Sequence, residues 1–311
     1  MEFNNIVPDQ AQLVKEINEL KQKLNAVILV HNYQLDEIQQ IGDFLGDSLG
    51  LSKQAANTEN KIIVFCGVKF MAETAKILSP DKTVLLPVKT AGCPMADMVD
   101  IEDLRQLKRE NPDAVVVTYV NSSTETKALS DYCCTSANAR KIIESIPDDK
   151  EIIFLPDQHL GAYVTSNRQG RSILWKGFCP VHQRMKLEEI KQLKRDNPQA
   201  KFIIHPEAPA SITKLADAIE STGGMVKYIK NLPENSSVIV GTELGMINRL
   251  RRERSDINFI PASSDLICYN MKSTRLVDVR DALKHKQYQI EVDPDIAAKA
   301  RKAIKRMISI G

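Results

Sequence analysis

Three of the six cysteines recur at a near-constant spacing along the 311-residue chain. Cys93, Cys179 and Cys268 are separated by 86 and 89 residues, and a short apolar run leads into each of them. A lone cysteine is more often a small buried residue than a metal ligand, so the periodicity carries the argument. We therefore predict that Cys93, Cys179 and Cys268 are the ligands of one metal centre.

The number of recurring thiols limits the kind of metal centre. No Cys-x-x-Cys pair is present, which excludes zinc ribbons, thioredoxin-type redox sites and ferredoxin-type runs. Three thiolates leave the tetrahedral ligand set of structural zinc incomplete. A cubane cluster accepts three thiolates, one for each of three irons, and its fourth iron stays open as a Lewis acid. This number of ligands favours catalysis over electron transfer, because electron-transfer clusters usually have four thiolates. The other cysteines do not recur and are expected to be buried: Cys66, Cys133 and Cys134.

The recurring cysteines belong to a longer internal repeat. Residues 104–121 match residues 190–207 at an offset of 86, and residues 26–31 align with residues 114–119 at an offset of 88. Each copy carries two polar residues, two positions apart, at the end of an apolar run, and a hydroxyl residue seventeen positions after the first of them. The polar pairs are His31 and Tyr33, Tyr119 and Asn121, and His205 and Glu207, and the hydroxyl residues are Ser48, Ser136 and Thr222.

The elements that must position these residues can be predicted from the same pattern. Apolar runs of four to six residues alternate with amphipathic stretches of ten or more, which predicts β-α-β-α-β units with parallel, doubly covered strands. We expect an α/β fold of three pseudo-threefold-related, Rossmann-like, three-layer units around a central iron-sulfur site. The predicted units are residues 1–97, 98–184 and 185–272, with residues 273–311 packing on the first. We also predict terminal helices over residues 10–25 and 294–308 and a strand over residues 287–292.

Ligands of parallel sheets bind beyond the carboxyl ends of the strands, where the polar pairs of all three copies lie. Hydroxyls at the start of the following helices add side-chain and backbone donors that suit an anion. If the three units face one another, a single pocket receives the polar pairs, the hydroxyls and the three thiolates. Taken singly, each of these residues would more often be a helix cap or a buried structural residue, but their recurrence favours function.

Composition and charge exclude several classes of protein. The formal charge is +2 and the basic residues alternate with acids along predicted helices, so a nucleic-acid partner is not expected. No apolar run is long enough for a membrane span, and the N-terminal residues do not resemble a signal peptide. Without a secretory signal, the cysteines are not expected to form a disulfide framework. We expect a cytoplasmic protein, or a stromal one if the source is a plastid.

The residues described above resemble the quinolinate synthases of bacterial and plastid NAD biosynthesis over nearly the whole chain. The resemblance is specific because many short motifs match in order. Among them are His31-Asn32-Tyr33-Gln34, Gly46-Asp47-Ser48-Leu49, Cys93-Pro94-Met95-Ala96, Cys134-Thr135-Ser136-Ala137-Asn138, Cys179-Pro180-Val181-His182, His205-Pro206-Glu207 and Gly241-Thr242-Glu243-Leu244-Gly245-Met246.

The resemblance implies a reaction and a cofactor. It implies condensation of iminoaspartate with dihydroxyacetone phosphate to quinolinate, phosphate and water. The implied cofactor is a [4Fe-4S] cluster with three cysteine ligands and one open iron. The resemblance also implies a functional link to an aspartate oxidase. By resemblance, Tyr33 and Glu207 are the acid/base residues, and His31 can also transfer protons. The expected substrate-binding residues are His31, Ser48, Tyr119, Asn121, Ser136, His205, Glu207 and Thr222. His182 is assigned no role.

Two other functions stay open at this point. A non-catalytic iron-sulfur sensor on the same scaffold predicts a cluster without turnover. A zinc-dependent hydrolase predicts zinc and a colourless protein. Anaerobic purification distinguishes the iron-sulfur proteins from the hydrolase, because a cubane cluster makes the protein brown and gives about four irons per chain.

Overall fold

The computed structural model describes residues 9–310, which form three parallel four-stranded sheets with helices packed against them. The strands of the first sheet are β1 (Ala26–His31), β2 (Phe44–Gly46), β3 (Ile62–Cys66) and β4 (Thr83–Leu85). Those of the second are β5 (Val115–Tyr119), β6 (Tyr132–Cys134), β7 (Ile152–Leu155) and β8 (Ser172–Leu174). Those of the third are β9 (Lys201–Ile204), β10 (Ala218–Ile219), β11 (Ser237–Gly241) and β12 (Asn258–Pro261). Each sheet has its second strand at one edge and its fourth at the other, in the order β2-β1-β3-β4 or its equivalent.

Helices connect the strands and cover the sheets. The first unit has α1 (Gln10–Leu24), α2 (Asp36–Gln40), α3 (Ser48–Asn57) and α4 (Lys69–Leu78). The second has α5 (Ile101–Glu110), α6 (Thr124–Ala128), α7 (Ala139–Glu144) and α8 (Gln158–Thr165). The third has α9 (Leu187–Asp196), α10 (Ala210–Thr213), α11 (Thr222–Lys230) and α12 (Gly245–Glu253), and the chain continues with α13 (Leu276–His285) and α14 (Pro294–Ile310). Three short 3-10 helices cover Ala96–Met98, His182–Arg184 and Met271–Ser273.

The central strands are buried on both faces, as their continuous apolar sequence predicts. Alternate residues of β1 enter two different cores: Val27 and Leu29 contact the core on one face of the sheet, and Ile28 and Val30 the core on the other. Such a layer of helices on each face is what parallel sheets require, because crossover connections place helices there. The α/β fold class is therefore confirmed, whereas the pseudo-threefold arrangement and the unit boundaries stay predictions.

The number of strands per unit differs from the prediction. The sequence pattern predicts three, but each sheet has a fourth that is only two or three residues long: β2, β6 and β10. These edge strands are too short to show an apolar run, and they form because they pair with the neighbouring β1, β5 and β9. The predicted strand over residues 287–292 is wrong, since only Gln289 pairs there, in an isolated antiparallel bridge to Leu85.

The chain termini join the units. The predicted terminal helices are present as α1 and α14, and α1 packs against α13 on the first sheet. Helix α14 lies against α4 of the first unit and against α6 and β6 of the second, so residues 273–310 do not pack on the first unit alone. Its buried face includes Ile304 and Met307, and the Asn138 side chain donates a hydrogen bond of 2.8 Å to the Met307 carbonyl.

Two further sequence expectations can be compared with the described residues. Cys66, Cys133 and Cys134 are buried, which confirms their expected location in the core. Among residues 9–310, no helix combines the length and the apolar character that crossing a membrane requires.

Candidate active site

One cavity of about 190 Å³ receives the carboxyl ends of strands from all three sheets. Every residue singled out from the repeat lies in its wall: the thiols of Cys93, Cys179 and Cys268, and the polar residues His31, Tyr33, Ser48, Tyr119, Asn121, Ser136, His205, Glu207 and Thr222. Residues as far apart in the chain as His31 and Cys268 therefore meet at one place, as the parallel-sheet rule predicts. Their individual roles stay predictions.

The three cysteines occupy equivalent loops. Each lies three residues before a 3-10 helix, and its sulfur accepts backbone N–H groups from the second and third residues after it. Burial raises the pKa of all three thiols, that of Cys93 to about 12, and these backbone donors oppose the shift. Since burial disfavours an isolated thiolate, while the N–H groups favour it, the loops fit sulfur ligands whose charge is compensated by a metal.

Two of the cysteine loops are also held by a buried carboxylate. Asp157 accepts the N–H of Cys179 at 3.2 Å, and Glu243 accepts the N–H of Cys268 at 3.1 Å. The equivalent position in the first unit is Val68. A recurring backbone hydrogen bond establishes this equivalence. In each unit, the residue that follows the position donates its N–H to the carbonyl of the residue two before the cysteine: Lys69 to Ala91, Gln158 to Gly177 and Leu244 to Leu266. Neither carboxylate is predicted from the sequence, because neither Asp157 nor Glu243 recurs in all three copies.

Glu207 lies among the aromatic and imidazole side chains of the cavity. Its Oε2 atom is 2.8 Å from Nδ1 of His182 and 3.5 Å from Nδ1 of His205, and the Tyr119 hydroxyl donates a hydrogen bond to the same carboxylate. Burial alone would raise the pKa of Glu207, but His205, His182 and the hydrogen bond from Tyr119 together outweigh it and lower the pKa to about 2. Glu207 is therefore a carboxylate at neutral pH, suited to accept a proton or to bind a metal ion.

His31 and His205 share a local geometry that explains the recurring polar pairs. In each, Nδ1 accepts the N–H of the residue two positions later, Tyr33 at 3.2 Å and Glu207 at 3.4 Å. Nε2 then carries the proton, and that of His205 lies 3.2 Å from the Ser136 hydroxyl. Burial lowers the pKa of His31 to about 3 and that of His205 to about 4, so both are neutral N–H donors at neutral pH.

Tyr33 is linked to His182 through a threonine that sequence analysis did not single out as a site residue. The Tyr33 hydroxyl lies 2.6 Å from the hydroxyl of Thr242, which lies 2.8 Å from Nε2 of His182. Burial raises the pKa of Tyr33 well above its usual value, so the hydroxyl keeps its proton and can donate it. The signal for His182 was its position three residues after Cys179, and that for Thr242 was the Gly241-Thr242-Glu243 motif.

The hydroxyl residues and Asn121 provide neutral polar groups around the same cavity. Ser48 and Thr222 begin helices α3 and α11, as predicted, although the capping side chains are those of the preceding residues. Ser136 departs from the prediction, because it lies in the turn before α7. Thr222 accepts a hydrogen bond of 2.9 Å from the Asn32 side chain. The buried Oδ1 atom of Asn121 has no hydrogen-bond partner among the described residues, which leaves it available to a ligand.

Three parallel sheets that direct cysteine loops and neutral donors into one cavity define an α/β protein whose site lies at the carboxyl ends of its strands. The Quinolinate synthetase A protein family matches residues 15–309 of the chain. Similar proteins include the quinolinate synthase of Geobacter metallireducens, 51% identical over 302 residues that cover 97% of this chain and 99% of the relative. The quinolinate synthase of Dehalococcoides mccartyi strain 195 is 50% identical over 95% of this chain and 97% of its own length. Quinolinate synthase 2 of Methanosarcina acetivorans is 45% identical over 99% and 98%.

The chain therefore belongs to the quinolinate synthase family, which confirms the resemblance found in its sequence.

Proposed function

We propose that this protein is a quinolinate synthase of NAD biosynthesis that condenses iminoaspartate with dihydroxyacetone phosphate, releasing phosphate and two waters. The observation that carries the proposal is the meeting of three equivalent cysteine loops with the strand-end polar pairs in one cavity. Membership of the family supports the same conclusion. The reaction joins two carbon chains and removes water, so the activity would be classed as a transferase.

Cys93, Cys179 and Cys268 would hold a [4Fe-4S] cluster, since each half-buried thiol already has backbone donors that favour the thiolate. When bound, the cluster supplies one open iron, a Lewis acid that can polarise a substrate oxygen or nitrogen.

The neutral donors of the cavity suit anionic substrates. Iminoaspartate carries two carboxylates and the triose carries a phosphate, so an excess of protein carboxylates would repel both. His31 and His205 present N–H groups, and the starts of α3 and α11 add hydroxyl and backbone donors. These groups would orient the substrates, and the apolar remainder of the wall would exclude water.

Proton transfers are assigned to Glu207 and Tyr33. Glu207 is ionised and buried, so it would accept a proton from a carbon or nitrogen next to a polarised group. Tyr33 stays protonated and would donate to a departing hydroxyl, with the hydroxyl of Thr242 and Nε2 of His182 able to replace its proton. Iminoaspartate must come from oxidation of aspartate, which supports a functional link to an aspartate oxidase.

The test is anaerobic purification followed by a quinolinate assay. We expect brown protein with about four irons per chain, and quinolinate formation from iminoaspartate and dihydroxyacetone phosphate. A loaded cluster without turnover would instead favour a sensor. Colourless protein that contains zinc and fails to take up a cluster would favour the hydrolase.

A further inference from the structure

A second set of metal-binding atoms lies in the cavity and shares only one residue with the cysteine trio. The Cys179 thiol, an imidazole nitrogen of His182 and a carboxylate oxygen of Glu207 lie within 4.8 Å of one another. We call these three residues the Cys-His-Glu triad. The side chains of His182 and Glu207 are only 1% and 4% exposed, so bulk water does not solvate the group.

The orientation of His182 shows which atom can bind a metal ion. Nε2 is held by the Thr242 hydroxyl at 2.8 Å. Nδ1 is buried and lies 2.8 Å from Oε2 of Glu207, in a contact that falls short of regular hydrogen-bond geometry. A metal ion bound by both atoms would satisfy them more fully than this contact does.

The other two donors are held by their surroundings in the same way. The backbone N–H groups of Val181 and His182 point to the Cys179 sulfur, and Asp157 fixes the Cys179 backbone. The 3-10 helix that begins at His182 places its imidazole on the same side as the thiol three residues earlier. Glu207 is fixed by its own backbone bond to His205. The triad is thus preformed, with each donor oriented by a neighbouring group, as metal ligands usually are.

We propose that, in the cluster-free protein, the Cys-His-Glu triad binds a single divalent transition-metal ion, with Zn²⁺ and Co²⁺ as the fitting class. One thiolate, one imidazole and one carboxylate form a borderline-soft set that suits these ions, and three protein ligands leave a fourth position for water. On binding, the Cys179 thiol releases its proton to solvent and its sulfur bonds to the ion.

The site has a consequence for cluster loading. Cys179 belongs both to the triad and to the predicted cluster ligands, so one chain cannot hold the ion and the cluster together. Zinc in the triad therefore blocks iron-sulfur assembly. This inference rests on the contacts of the triad and not on the proposed reaction.

The first test is Co²⁺ titration of the full-length, cluster-free chain under anaerobic, reducing conditions. We expect one ion per chain, with a thiolate-to-Co²⁺ charge-transfer band and the visible bands of a four-coordinate ion. Cys179→Ser should abolish the charge-transfer band. His182→Gln and Glu207→Gln should each weaken binding about tenfold or more, the least that loss of a ligand is expected to cost.

Two variants of the same cavity are matched controls. Cys93→Ser and Cys268→Ser each remove a thiol outside the triad, and both should bind Co²⁺ as the unchanged protein does. Loss of the band in Cys93→Ser or Cys268→Ser would mean that three thiolates hold the ion and would overturn the proposal. Unchanged affinity in both His182→Gln and Glu207→Gln would overturn it as well. Circular dichroism establishes that each variant is folded. If His182→Gln and Glu207→Gln weaken Co²⁺ binding alike, misfolding of one variant does not explain the loss.

The second test uses iron content rather than activity. The cluster-free chain is preloaded with one equivalent of Zn²⁺ and then supplied with iron and sulfide. We expect cluster loading to be blocked, to be restored when a chelator removes the zinc, and to proceed in Glu207→Gln despite added zinc. Full loading of the zinc-treated unchanged protein would refute mutual exclusion. Failure of the proposed function would instead appear in zinc-free protein, as a missing cluster or absent quinolinate.

Discussion

Glu207 is the single negative charge among the strand-end pairs of the three copies. It lies beside His182, His205 and Tyr119, and its pKa falls to about 2, although burial by itself raises it. A carboxylate in this position repels anionic substrates unless a metal ion or a proton compensates it. A chemical role explains such a charge better than substrate binding does.

Substitution tests the roles of Glu207 and Tyr33. We expect Glu207→Gln and Tyr33→Phe to retain the cluster and to lower quinolinate turnover by about 100-fold or more, the usual contribution of a positioned acid or base. Both changes nearly preserve side-chain volume, so packing should survive. Turnover is measured anaerobically at matched iron content. Near-normal turnover of Glu207→Gln with full iron content would leave Glu207 with a structural role only.

The six cysteines divide into two groups that predict opposite results. Cys93, Cys179 and Cys268 line the cavity, whereas Cys66, Cys133 and Cys134 are buried in the core. Replacing any member of the first group by serine should abolish the cluster, because two of its four irons are then without a protein anchor. Serine in the second group should leave the cluster in place.

The measurement is the iron content of the six variants after parallel reconstitution. Alanine versions of Cys66, Cys133 and Cys134 serve where a buried hydroxyl destabilises the fold. A colourless Cys66, Cys133 or Cys134 variant that is folded, together with a loaded variant of the first group, would show that the ligand trio is wrong.

At the scale of elements, the loops that follow β7 and β11 are more strongly held than their counterpart after β3. Asp157 caps α8 through Leu160 at 2.7 Å and also binds the Cys179 backbone. Glu243 likewise binds the Cys268 backbone and Lys272, the latter at 3.0 Å. Burial raises the pKa of both carboxyl groups, and the hydrogen bonds that they accept oppose the shift. The ends of two strands are thus tied to their cysteine loops.

Asp157→Asn and Glu243→Gln should loosen these loops. Each change turns one acceptor oxygen into an NH₂ group that cannot accept the cysteine N–H, at an expected cost of about 1–3 kcal/mol in the free energy of unfolding. We also expect the cluster to lose iron to a chelator faster. Asp100→Asn is the matched control, because Asp100 caps α5 without touching a cysteine loop. Equal iron-loss rates in all three variants and the unchanged protein would contradict the prediction.

At the scale of the whole molecule, a buried glutamine joins the first and third units behind Tyr33. The Nε2 atom of Gln39 lies 3.0 Å from each of three carbonyl oxygens, those of Asn32, Gln34 and Gly245. Its Oε1 accepts a bond of 2.6 Å from Arg252 of the third unit. The residues on both sides of Tyr33 are therefore held by contacts between units.

Gln39→Met should disturb both stability and activity. The substitution keeps the shape of the side chain but leaves a guanidinium N–H and buried carbonyls without their partner, which costs about 1–3 kcal/mol. We expect a lower kcat at unchanged iron content, because the Tyr33 loop is less well held. Gln40→Met changes the exposed neighbouring glutamine of α2 and should stay within about 0.5 kcal/mol of the unchanged protein. Thermal unfolding and kcat that are unaffected in Gln39→Met would refute this account.

The sequence was most informative where a signal is local or repeated. The apolar runs over residues 26–31 and 114–119 predict β1 and β5 to within a residue, because strands buried on both faces must be continuously apolar. The edge strands β2, β6 and β10 were missed, since two or three residues carry too little pattern and depend on the neighbouring strand for pairing. The predicted strand over residues 287–292 failed because only Gln289 pairs with the short strand β4, through a single antiparallel bridge to Leu85.

By itself, the sequence determined the α/β class, the presence of three copies of one unit, and the family. It also determined the residues that line the cavity, because these residues recur at a spacing that parallel strands impose. Only the tertiary structure decided which of them touch. The link from Tyr33 to Thr242 joins residues 209 positions apart, and the contact of His182 with Glu207 joins segments that belong to different sheets. No spacing rule encodes such contacts, since they depend on how separately patterned sheets pack against one another. The carboxylate bonds of the cysteine loops lie within single units, but their acceptors, Asp157 and Glu243, do not recur in all three copies.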